Sequence, residues 1–270
     1  MRIIDLTGYE KDLIYSSSSK GNLPKWKVGN KWYKTDGFGY ESLCEVLISH
    51  LIGENDILPV VDYEYVRIRN NEREGTGCES INFLEKNESL ITANKVHRAF
   101  TGRNMGEALS AIDSAEDCVR YFVDFISEKT GLDSFGKYLG ALIQNDALFL
   151  NEDRHFNNIA VIYNEEEEKF RLCPVFDNGL SLCSALDTYP LGEDIYRLID
   201  SVKARPFDRD YQTQFELLDK LYGCDLKYSF SRKDIDRELS VASEYYSDEI
   251  LDRVRIILLE QMRKLRYMFR

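Results

Sequence analysis

The chain has 270 residues, 47 of them acidic and 35 basic, for a formal charge of −12, and that length supports one large domain or two small ones. At 43% hydrophobic and 30% charged residues it is too apolar to be disordered. The acid excess argues against a general nucleic-acid binder and against attachment to anionic lipid by the whole surface, but not against a local anion site.

In chain order, charges at Arg2, Asp5, Glu10, Lys11 and Asp12 leave no apolar core for a signal peptide. Residues 26–28 and 31–34 flank Gly29-Asn30, a two-residue turn suited to a β-hairpin. Leu43, Val46, Leu47 and Leu51 recur at helical spacing, which predicts an amphipathic helix over 40–52. Residues 60–69 and 78–84 read as strands joined by a polar turn over 70–77. From Glu88 the pattern turns helical, with helices predicted over 115–129 and 135–150. A short β interlude at 158–163 and 169–175 follows, then helices over 195–203, 211–221, 233–246 and 248–269. The acid run 165–168 reads as a solvated hairpin tip.

This order predicts an α+β, bilobal, protein-kinase-like fold. A small β-rich N-lobe would cover residues 1–84 and a larger helical C-lobe residues 85–270, together one kinase domain. No apolar run is long enough to span a bilayer. Six scattered cysteines without a CxxC pair, beside three histidines, make a structural zinc site unexpected and suit a reducing cytoplasm. The expectation is a cytoplasmic protein, or one delivered to a host cell if it is an effector, with neither membrane nor nucleic acid as partner.

Four local patterns carry chemistry. Asp153 and Asn158 stand five residues apart in a loop between a buried helix and a strand. In phosphoryl transfer, that spacing places a carboxylate that accepts the acceptor's proton near an amide oxygen that coordinates magnesium; in isolation the pair also suits turn capping. Asp177 lies 19 positions beyond Asn158, across a hairpin that returns it to the same sheet end, where both could share a magnesium ion. Taken alone, Asn178-Gly179 also suits a type I′ turn. Lys34 ends a strand and precedes Glu41 and Glu45, which share one helix face, so spacing does not decide which of them would steady the lysine. Residues 16–34 hold five lysines and no acid. There Ser18, Ser19, Lys20 and Lys25 suit a phosphate loop, although a polyserine linker reads equally well.

The sequences NEDRHFNN and PVFDNG, after WYK and GYESLCE, resemble the HipA-like serine/threonine kinases, whose DRHxxN loop is also similar to that of phosphoinositide kinases. The resemblance runs from about residue 25 to 207 and includes VKARPF at 202–207. It implies an ATP- and Mg2+-dependent kinase acting on a protein serine or threonine, without the extra amino-terminal subdomain of full-length HipA toxins. By resemblance Asp153 is the catalytic aspartate, Asn158 and Asp177 hold magnesium, and Lys34 contacts ATP phosphates, with Glu41 among the candidates supporting it. His155 organises the loop, and the hinge at 78–83, with Ser80 and Asn82, carries adenine. It further implies autophosphorylation within Ser16–Ser19 and an antitoxin or regulator as a candidate partner. The alternatives are a catalytically silent nucleotide-binding regulator and a lipid or small-molecule kinase. Residues 1–40 carry seven basic and four acidic side chains. The acid excess therefore falls on the remainder of the chain, which suggests a basic acceptor segment.

Overall fold

The protein is described by a computed structural model covering residues 2–9, 24–53, 55–71 and 73–270. Its first sheet has five strands in the order β1 (Ile3–Asp5), β4 (Tyr63–Asn70), β5 (Arg73–Ile81), β3 (Lys31–Thr35), β2 (Lys25–Val28). The β2–β3 hairpin pairs Val28 with Lys31 across Gly29-Asn30. Gly29 has φ +61° and Asn30 does not share that sign, which fits a turn with glycine first. The β4–β5 pair is tighter than expected: Asn70 meets Arg73, so strand occupies most of the segment read as a polar turn. Gly77 makes this possible beside Lys34, because a Cβ there would lie 2.4 Å from the Lys34 carbonyl oxygen. Strand β1 joins β4 in parallel, a non-local pairing with no local sequence signal.

Helix α1 (Glu41–Ile52) lies where expected, but it is not a surface amphipathic helix: ten of its twelve residues are buried. A helix buried all round belongs inside the core, and Leu43, Val46, Leu47 and Leu51 share one apolar cluster with helices of the second half. The first sheet keeps a small cluster of its own around Leu6, Trp26, Tyr33, Val66 and Ile68.

The second half opens with a strand, not a helix. β6 (Glu88–Thr92) pairs with β7 (Ala160–Asn164), which pairs with β8 (Lys169–Leu172). Helices α2 (Ala93–Thr101), α3 (Met105–Leu109), α4 (Ala115–Thr130) and α5 (Phe135–Phe149) follow β6. After β8 come α6 (Ile195–Ser201), α7 (Tyr211–Tyr222), α8 (Arg232–Ala242) and α9 (Asp248–Lys264). α5 is the central rod, with fourteen of fifteen residues buried. It stops at Leu150, whose φ of +53° turns the chain into the Asp153 loop. All six cysteines are unpaired, and four are buried. Among the described residues no helix is long and apolar enough to cross a membrane.

Candidate active site

The loop after α5 is built around one fully buried side chain. Arg154 donates from Nε and Nη2 to the two Asp146 carboxylate oxygens at 2.9 and 3.0 Å. It also donates to the carbonyls of Asn158 and Phe176 at 3.0 and 3.2 Å, and to Asn178 Oδ1 at 2.9 Å. Both members of the Arg154–Asp146 pair have no exposed side-chain surface; burial works against the guanidinium charge, but Asp146 outweighs it and holds Arg154 above the ordinary arginine value. A single side chain therefore ties the 151–158 loop to the 176–178 segment. Asn151 extends the scaffold: it donates to Asp146 at 3.0 Å and accepts from the Asp153 backbone N–H at 3.0 Å.

Asp153 is 5% exposed. His155 Nε2 stands 3.8 Å from its carboxylate, while His155 Nδ1 accepts from the Asn157 backbone N–H. Asn158 Nδ2 donates to the Asp153 carbonyl at 2.9 Å, and no described residue donates to the Asn158 amide oxygen.

Asp177 follows β8 and has φ +62°, a conformation that aspartate tolerates better than most residues. Neither Asn178 nor Gly179 has positive φ, so the type I′ turn reading fails; Asn178 is instead fully buried, held by Arg154 and Glu45. Lys34 Nζ donates to Asp177 Oδ1 at 3.0 Å and sits 5.1 Å from the Tyr63 ring centre. Lys25 Nζ reaches both Asp177 oxygens at 3.3 and 3.4 Å. Burial works against the Asp177 charge, but the two ammonium groups outweigh it and hold the carboxyl below the usual carboxylate range. Burial would likewise lower Lys34, yet Asp177 and Glu45 hold it well above the ordinary lysine value.

The helix partner of Lys34 is Glu45. Glu45 accepts from Lys34 with one oxygen and from the Asn178 backbone N–H, at 2.9 Å, with the other. Glu41 does not reach Lys34, which corrects its expected place in nucleotide binding. Its carboxylate accepts from the backbone N–H groups of Gly37, Phe38 and Gly39, closing the turn before α1. Spacing could not separate the two glutamates; the bend at 36–40 does.

Lys25, Lys34, Ser80, Asn82, Asn158 and Asp177 line one cavity of about 430 Å3, within the range of small-molecule sites. Its apolar wall comes from Phe83, Leu84, Leu90 and Phe176, with the Phe83 and Phe176 rings stacked at 6.2 Å. Asn82 fixes the connection out of β5, accepting from Trp32 Nε1 and donating to the Leu84 carbonyl, both at 3.2 Å. Asp153 is not part of the lining, although its loop neighbours Asn157 and Asn158 are. Ser18, Ser19 and Lys20 lie outside the described residues. Sequence reasoning missed Asn94, Lys95 and Arg98, also in the lining, because the stretch from Glu88 read only as generally helical.

No known family profile matches the chain, and no curated protein sequence matches it. Solved structures do. The proinflammatory kinase CtkA of Helicobacter pylori aligns over 97% of this chain and 94% of its own, with a TM-score of 0.59 at 15% identity. The fold is kinase-like. A chain from the Shewanella oneidensis HipA, HipB and operator DNA complex aligns over 91% of this chain and 59% of its own, with a TM-score of 0.44 at 11% identity.

Proposed function

We propose that the chain is an ATP- and magnesium-dependent HipA-like kinase that moves the γ-phosphoryl group to a protein serine or threonine. In this reading residues 1–84 and 85–270 are the two halves of one kinase domain. One observation carries the proposal: Lys34, braced by Glu45, meets Asp177 in the same cavity that Asn158 lines. That set is a phosphoryl-transfer site in parts and order.

The donor set suits magnesium. Asp177 already holds two cationic ammonium groups, and the Asn158 amide oxygen faces no described hydrogen-bond donor. An ion held by these two side chains would complete its shell with phosphate and water. Asn158 and Asp177 would hold it, and it would neutralise charge on the transferred group. Lys34 and Lys25 would bind the phosphates, and the Phe83–Phe176 wall would take the base. Asp153 would orient the acceptor hydroxyl and accept its proton as the new O–P bond forms and the bond to the ADP oxygen breaks. We also propose that a serine within 16–19 accepts phosphate from the enzyme itself.

Incubation with γ-labelled ATP and magnesium tests the reading, comparing wild type with Asp153→Ala and Asp177→Ala. Loss of transfer in both is expected, and transfer surviving both would refute the site. Nucleotide binding without transfer to any protein or peptide would favour the silent regulator. The acid-rich chain makes a lipid acceptor the weaker alternative.

A further inference from the structure

The charged side chains that line the cavity oppose the net charge of the molecule. In a chain of −12, the described residues lining the cavity include four cations, Lys25, Lys34, Lys95 and Arg98, and one carboxylate, Asp177. Lys25 and Lys34 are engaged with Asp177. Lys95 and Arg98 belong to α2, whose own sequence contains no acid. Among the described residues the Arg98 guanidinium has no hydrogen-bond or ion-pair partner, so its charge is available to a ligand.

The placement of α2 says which ligand. Its first turn is bonded to the catalytic loop: Ala93 N–H donates to the Ile159 carbonyl and Asn94 N–H to the Phe156 carbonyl. The Asn94 side chain donates to Asn157 Oδ1 at 2.9 Å. Arg98 is one turn beyond Asn94 on the same helix face, about 6 Å along the axis. An extended peptide advances about 3.3–3.6 Å per residue. A peptide presenting its hydroxyl to this loop would therefore bring a residue about two positions away to Arg98.

We propose that Lys95 and Arg98 form an acceptor subsite for acidic peptide, selecting a carboxylate two or three residues from the phosphorylated hydroxyl. This deepens the kinase reading and rests on it. It reverses the expectation of a basic acceptor drawn from the overall charge, because the charges lining the cleft act at contact distance while the remote acidic surface is screened. An anionic membrane is disfavoured by the same acidic surface, which would have to approach it as a whole.

The test uses serine-centred peptide libraries with aspartate, alanine or lysine fixed two and three positions either side of the serine. Wild type is expected to prefer the aspartate set in kcat/KM by about tenfold, with the preference shrinking at high salt. Arg98→Glu with Lys95→Glu should transfer the preference to the lysine set, a rescue that mere loss of structure would not give. Equal use of all sets by wild type would overturn the proposal, as would a double variant whose KM for ATP rises while its peptide preference stays. Fluorescence anisotropy of labelled peptides separates the two layers. If no peptide is phosphorylated, the kinase reading fails. Tighter binding of the aspartate set, lost in the double variant, would then still support an acidic-peptide site, and equal binding would sink it.

Discussion

Arg154 carries more of the site than any residue that would touch substrate. Its five donated hydrogen bonds join α5, the Asp153 loop and the segment behind Asp177. Substituting Arg154→Met should cost about 3–5 kcal/mol, because Asp146 would remain buried without its partner. Urea unfolding would read this as a lower midpoint, and adding Asp146→Asn should recover part of the loss. A double variant no more stable than Arg154→Met would mean that the hydrogen bonds to Asn158, Phe176 and Asn178 dominate instead. The two cavity lysines differ in a way that kinetics can resolve. Lys34 is braced by Glu45 and Tyr63, whereas Lys25 contacts Asp177 from the start of β2 without such a brace among the described residues. Lys34→Met should lower transfer by about 10²–10³, the range for removing one preorganised charge from a transition state. Lys25→Ala should lose less, and equal losses in single-turnover assays would contradict its auxiliary role.

At the scale of elements, α1 does two jobs with two glutamates one turn apart. Glu45 links Lys34 to the Asn178 backbone, while Glu41 closes the 37–39 turn. Glu45→Gln should therefore lower the transfer rate by weakening the brace on Lys34. Glu41→Gln should appear mainly as a loss of about 1 kcal/mol in thermal stability, typical of a lost helix cap. A drop in transfer rate for Glu41→Gln as large as that for Glu45→Gln would reject this division. The sequence held the helix but not the choice between the glutamates, since both occupy one face until the chain bends before Tyr40. The β2–β3 hairpin, α5 and the loop after it were readable because turn chemistry and apolar periodicity are local. β1 and β6 were not: each is at most five residues long and is defined by a partner 64 to 76 positions away. Missing β6 hid α2 behind it, and with it two of the cations that line the cavity.

Across the whole molecule, net charge proved a poor guide to the cleft because it averages over surfaces that no ligand meets. Even so, a long-range polar contact ties the Lys34 strand to the far end of the chain. Asp36, in the bend between β3 and α1, accepts from the Ser42 backbone N–H at 2.6 Å and from the Tyr246 hydroxyl at 2.8 Å. Tyr246 comes from the connection between α8 and α9, so this carboxylate fastens the 36–40 bend to the carboxy-terminal helices. Burial first, and then the neighbouring Glu41 charge, push the Asp36 carboxyl up to about 7, against the two hydrogen bonds that favour its ionised form. The sign is opposite to that of a salt-bridged carboxylate. Between an unfolded value near 3.8 and about 7, the folded chain binds the extra proton, so stability falls as pH rises through that window. Full linkage would amount to about 4 kcal/mol; Asp36 keeps some contact with solvent, and screening reduces this to about 1–2 kcal/mol. Asp36→Asn retains an acceptor oxygen without the charge. It should raise stability at pH 8 and leave it nearly unchanged at pH 4, flattening the Asp36 contribution between them. Urea midpoints across that range decide the matter: a variant that loses stability at pH 8 would mean that the ionised carboxylate holds Ser42 and Tyr246 strongly enough to outweigh its burial.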